Sequence, residues 1–185
     1  LCTGIWVLAH ECGHGSFSSY TYINDSIGFV LHSLLLVPYF SWQFTHAKHH
    51  RRTNHVTDGE SHVPMLPDEI GCIDQRPPVC AASIYEALGD DGFAILQIAI
   101  HLLAGWPLYM AGVTATGKLT YNGTYVSHTV LMDHFRPTSG LFPPRLYTAT
   151  WWSTAGVVAA VLGLAVASHV YSARAVLLYY GGPYL

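Results

Sequence analysis

Three long stretches of this chain contain no Lys, Arg, Asp or Glu: residues 26–47, 92–117 and 146–173. A helix needs about 20 apolar residues to cross the hydrocarbon core of a bilayer, so runs of this length point to an all-α integral membrane fold. The clearest span is 147–168. Its core, TAGVVAAVLGLAVA, is rich in the small residues that let helices pack closely in lipid. Another apolar run opens at Ala175, and only the connection HVYSAR separates the two, which predicts a helical hairpin. Composition agrees: apolar residues make up 51% and charged residues 10%, against about 25% charged in soluble domains. That argues against a disordered chain. Only 8 Lys and Arg, with a net charge of −3, argue against a nucleic-acid partner. The 185 residues suit one domain, 1–185. Both ends lie inside apolar runs with no initiator Met or signal peptide, so the expectation is an internal part of a longer domain.

Residues 48–91 differ. They hold Arg51, Arg52, Asp58, Glu60, Asp68, Glu69, Asp74, Arg76 and Pro77-Pro78, the make-up of an irregular, water-facing segment. The four Cys form no C-x-x-C pair and no disulfide framework, which fits a reducing, cytosol-facing compartment.

Histidine carries the chemistry. The chain has 12 His, more than its 8 Lys and Arg together, and five of them fall into two motifs. HECGH sets His10 and His14 at i and i+4, on one helical face. HAKHH does the same for His46, His49 and His50 at i, i+3 and i+4. One His is usually a surface or satisfied core group; five at these spacings, each set closing an apolar run, make a metal site the better reading. Neutral imidazole suits Fe, Zn, Cu and Ni. HECGH also satisfies H-E-x-x-H, the zinc-protease pattern, in which Glu11 would be the general base. That alternative leaves HAKHH unexplained. A catalytic zinc takes three protein ligands, and five clustered His suit two metals better.

HECGH followed about thirty residues later by HAKHH resembles the first two histidine boxes of the membrane-bound fatty acid desaturases. The flanks LHSLLLVPYFSWQFTHAKHH, GWPLYMAG, DHFRPTSGLF and YYGGPYL are similar to the acyl-lipid Δ12 (oleate) and ω-3 branch. The resemblance covers nearly the whole chain. It implies transmembrane helices with a cytosolic cap carrying the boxes, set in the endoplasmic reticulum membrane, with interfacial helices between and after the boxes. It implies two non-haem iron ions held mainly by His, with O2 as co-substrate. The acyl chain of a membrane lipid would be the substrate and a cytochrome b5-type protein the electron donor. The product is a cis double bond, and the expected reaction is Δ12 desaturation of oleoyl to linoleoyl chains. An ω-3 or bifunctional desaturase, or a related hydroxylase or conjugase, is the alternative within the family. The ligands it carries over are His10, His14, His46, His49 and His50. Its third box, another H-x-x-H-H, lies beyond this sequence, so these residues alone should not make an active enzyme.

The remaining candidates are secondary. Glu11, about 100° round a helix from His10, reads as an orienting partner rather than a base. His55 could orient a ligand as well, although His55 and His62 read first as solvated loop residues. His32 in LHSLLLVPY reads as a buried, hydrogen-bonded core residue. Lys48, Arg51 and Arg52 suit the positive-inside bias, an anionic lipid or an acidic donor. Asn24-Asp-Ser26 and Asn122-Gly-Thr124 are formal glycosylation sequons. The two boxes must lie on one membrane face, so 26–45 should run along the interface or dip in and return. Gln97, His101 and Gly105-Trp106-Pro107 predict the same for 93–115, which would leave Asn122 cytosolic.

Overall fold

The computed structural model describes residues 2–53, 55, 82–112, 119–125 and 131–184. Helix α1 (Cys2–His14) stops where Gly15 turns left-handed, at φ +74°. There the Gly15 and Ser16 N–H groups donate to the Cys12 and Glu11 carbonyls, each at 3.0 Å. These are the paired bonds of a helix closed by a left-handed residue. Helix α2 (Thr21–Leu34) closes in the same way, with Leu36 at φ +58°; the Leu36 N–H donates to the Ser33 carbonyl and the Val37 N–H to the His32 carbonyl. Pro38 follows, and α3 (Tyr39–Arg51) leaves at 105° to α2. Residues 26–45 therefore form a sharp corner and not a straight span.

Helix α4 (Ala82–Met110) is broken at Gly89, at φ 66° and ψ −176°. Its length and apolarity from Ser83 to Met110 are enough to cross a membrane, a length the polar residues in 93–115 do not announce. His101 is the instructive case. Its Nδ1 lies 2.8 Å from the Gln97 carbonyl one turn back, so the helix itself takes the Nδ1 proton. Pro107, three residues from the end, leaves the preceding turns intact.

Helix α5 (Tyr147–Val170) is 24 residues long, about 36 Å at 1.5 Å per residue, against a hydrocarbon core of about 30 Å. Its packing is inverted relative to a soluble helix. Thr150, Ser153 and Val157 are buried, whereas Trp151, Trp152, Leu162 and Val166 are each about 60% exposed. Small and hydroxylated residues face the protein and large apolar ones face outward, as lipid allows. Gly156 brings α5 onto Phe29 and Ser33 of α2, where a Cβ would collide. The Ser153 hydroxyl accepts from the Phe40 N–H at 2.9 Å, satisfying a first-turn donor of α3 that Pro38 cannot cap.

After Ser172 the expected second arm is helical through α6 (Ala173–Val176), one wide turn (Leu177–Gly181) and α7 (Gly182–Tyr184). The Tyr180 hydroxyl donates to the Leu34 carbonyl at 2.7 Å, tying this arm to the end of α2. Among the described residues there is no strand; one isolated bridge joins Leu119 and Tyr125. The main buried cluster is Leu35, Val37, Trp42, Tyr109 and Met110, with Trp6 and Trp106 packed on it. It sits at the α2–α3 corner, directly beneath the histidines.

Candidate metal centre

His10 and His14 occupy the last turns of α1, and His46 and His50 the last turns of α3. The corner at Leu35–Pro38 folds α3 back so that the two pairs face each other. His10 Nε2 is 2.9 Å from His46 Nε2, and His14 Nε2 is 3.2 Å from both. His50 Nε2 is 3.1 Å from His46 Nε2. All four nitrogens lie within 4.8 Å of one another. An imidazole nitrogen sits about 2.1 Å from a bound metal, so neighbouring ligands of one ion stand roughly 3.0–3.4 Å apart. His10, His14 and His46 match that spacing pairwise, and His50 matches it to His46; the donor chemistry suits a first-row transition metal.

The electrostatics favour a cation. α1 and α3 both end at the site, and helix C-termini carry partial negative charge. Burial, followed by the surrounding imidazoles, pushes His46 down to about 3 and also lowers His14. Both rings are therefore neutral at physiological pH, which is the metal-binding form. On the far side of His10, Nδ1 lies 3.1 Å from Glu11 Oε1, so Nδ1–H donates to the carboxylate and Nε2 keeps its lone pair for the centre. The Glu11 carboxylate also accepts from the Ser16 hydroxyl, and these bonds lower its pKa, the Ser16 bond most.

The fifth candidate, His49, lies outside this group of four. Its ring centre is 6.1 Å from that of His46 and 5.7 Å from that of His50, on the flank of the cluster. His55 is exposed beyond the end of α3, and the four do not include it. His62 lies outside the described residues. His32 is fully buried, as expected, but in an aromatic setting: its ring centre is 5.1 Å from Trp6 and 4.5 Å from Trp42. Asn24 is buried, and its side-chain amide exchanges two 2.8 Å hydrogen bonds with the Ser18 backbone, so this sequon serves the fold.

Sequence reasoning missed Trp42 and Gly13. Trp42 stacks on His46 with 4.4 Å between centres at 19°, and its ring is 5.7 Å from His10. It lies over Gly13, where a Cβ would stand 2.6 Å from the indole. The signal was present: Trp42 is one helical turn before His46, and Gly13 lies between the two His of the first motif.

A Delta(12) fatty acid desaturase of Mortierella alpina is 39% identical over 194 residues, spanning 100% of this chain and 45% of the relative. A Delta(12) fatty acid desaturase of Calendula officinalis is 36% identical over 183 residues, covering 99% of this chain and 43% of its own length. A bifunctional fatty acid conjugase/Delta(12)-oleate desaturase of Punica granatum is 37% identical over 142 residues, 77% of this chain and 31% of that protein. The chain thus spans less than half the length of these curated relatives. No family model matches the chain, and no solved structure matches it.

Proposed function

The chain belongs to the Delta(12) fatty acid desaturase family, and from that membership we propose that its protein inserts a cis double bond into oleoyl chains of membrane lipids, giving linoleoyl chains. The observation that carries the proposal is the convergence of four Nε2 atoms from HECGH and HAKHH. His10, His14, His46 and His50 would hold one iron. His49, on the flank, would serve a second iron together with ligands outside these residues. Bound iron supplies the oxidising power, drawn from O2, that removing hydrogen from an unactivated methylene requires.

The chain's own residues prepare that chemistry. Glu11 holds His10 in the tautomer that presents Nε2 to the centre. Trp42 lies flat on His46 and keeps water from that side of the ring. A cavity of about 340 Å³ between α1 and α4 is lined by Trp6, Leu35, Leu102, Leu103 and Trp106. Its Trp6 wall packs on Trp42, 5.9 Å between centres, so an acyl chain lying there would be separated from the histidines by these two indoles. We place the histidine cluster on the cytosolic face of the endoplasmic reticulum membrane, where a cytochrome b5-type donor could reach it.

The geometry argues against the zinc-protease alternative. A general base must face the metal-bound water, whereas Glu11 is turned to the back of His10 and four imidazoles occupy the centre. Expression of the full-length protein in a host that makes oleate but no polyunsaturated chain tests the assignment. The expected result is new 18:2 together with about two irons per purified chain. Hydroxylated or conjugated products would move the assignment within the family, fed 18:2 becoming 18:3 without any new 18:2 would make it ω-3, and one zinc with no lipid product would refute it.

A further inference from the structure

His134 is a buried polar residue for which the metal site by itself has no use. It belongs to the DHFRP turn, which Asp133 builds by accepting the Phe135 and Arg136 N–H groups at 2.9 and 2.7 Å. The His134 backbone N–H donates to the Met110 carbonyl at 2.9 Å and closes the end of α4. The ring is 0% exposed and packs on Tyr109, 4.8 Å between centres. Its Nε2 stands 3.2 Å from Oγ1 of Thr45, a buried residue that directly precedes His46 on α3.

The hydrogens can be assigned. The Thr45 hydroxyl has one proton, and Oγ1 lies 3.1 Å from the Trp42 carbonyl, the back-bond common to helical Thr. With that proton spent, Oγ1 accepts from His134 Nε2–H. Nδ1 then carries only a lone pair. It has no partner among the described residues, and a bare ring nitrogen is cheaper to bury than an N–H without an acceptor. Burial also pushes the imidazole pKa down to about 4, so the ring stays neutral and keeps this arrangement.

We propose that His134 is a positioning residue for the metal centre, pinning Thr45 and so fixing the rotation of α3 that brings His46 into the four-imidazole group. Ser153 holds the first turn of α3 and His134 holds its middle. The pin matters because a side-chain tip about 5–6 Å from a helix axis sweeps roughly 2 Å for a 20° rotation. Metal-ligand distances tolerate only about 0.2 Å. The proposal rests on the metal reading of the four histidines.

Three variants of the full-length protein test it. His134→Leu removes the donor, Thr45→Val removes the acceptor with little change of shape, and His134→Gln keeps an N–H near the position of Nε2. Two properties are measured: Co2+ affinity with its absorption spectrum, and hydrogen exchange of the α3 amides, which needs no metal. His134→Leu and Thr45→Val should each weaken Co2+ binding roughly tenfold, the lower end of the range for residues that support a ligand. Both should speed exchange in α3 and leave α5 unchanged. The double variant should lose no more than either single one, because both remove the same contact. His134→Gln should restore the Co2+ spectrum and the α3 protection. Unaltered α3 exchange in His134→Leu overturns the proposal, and so do additive losses in the double variant. A wild-type protein that binds no Co2+ while both variants still loosen α3 would refute the metal reading and uphold the pin.

Discussion

Gly13→Ala puts a methyl group where the Trp42 indole already lies. The new Cβ would stand 2.6 Å from Cζ3 and 3.2 Å from Cη2 of that ring. Carbon atoms in contact sit about 3.5–4.0 Å apart, so the ring must withdraw by roughly 1 Å. It has nowhere to go. Trp42 is 3% exposed, with His46 stacked on it at 4.4 Å, His32 at 4.5 Å and Trp6 at 5.9 Å. Overpacking of this kind costs about 1–3 kcal/mol, and replacing Gly by Ala in a helix returns about 1 kcal/mol. The net loss of stability is then small, about 0–2 kcal/mol. The loss at the metal is larger, because a displacement of roughly 1 Å passed to His46 exceeds the 0.2 Å or so that a ligand tolerates. Co2+ affinity of the full-length protein, titrated by absorption, should fall at least tenfold, or about 1.4 kcal/mol. Gly4→Ala on the same helix is the control. Nothing lies within 4 Å of its added Cβ, so it should bind Co2+ normally and melt no lower than wild type. Wild-type Co2+ affinity in Gly13→Ala, with protein level matched, would refute the reasoning.

Other consequences are open to simpler tests. Ser153→Ala leaves the Phe40 N–H without its acceptor and should cost about 1–2 kcal/mol, seen as a melting temperature lower by several degrees. Glu11→Gln weakens the charged partner of His10 Nδ1 and should reduce metal affinity about tenfold without changing helical content by circular dichroism. His49→Ala should abolish 18:2 formation at matched protein level; normal product would remove His49 from the ligand set. His134 makes stability depend on pH. Burial holds its folded pKa at about 4, below the ordinary imidazole value of 6.5, so the unfolded chain binds this proton first. The contribution is complete above about pH 6.5 and is lost as pH falls toward 4. Melting temperature should decline across that window, and His134→Gln should flatten the decline.

Much of this protein is legible along the chain. The charge-free run 146–173 marks α5 because lipid and helix length set a common scale, whereas α4 opens at Ala82, inside the stretch 48–91 whose charges and prolines read as irregular; the left-handed Gly15 marks the end of α1 because glycine reaches that conformation without strain. The i, i+4 spacings within HECGH and HAKHH place each His pair on one helical face, since helical periodicity is local. Helical spacing does not reach between the motifs. That His10 meets His46 across 36 positions depends on the 105° corner at Leu35–Pro38, where a left-handed Leu stands in the place usually taken by glycine. The tertiary structure also chose which of the five His converge. His46 and His50 turn inward while His49, 100° round the helix from His50, lies on the flank. Trp42, Gly13, Thr45 and His134 acquire their roles only through contacts between distant segments. Pattern along the chain fixes what each helix can present; which faces meet is decided by packing, which sums contacts among residues far apart in sequence.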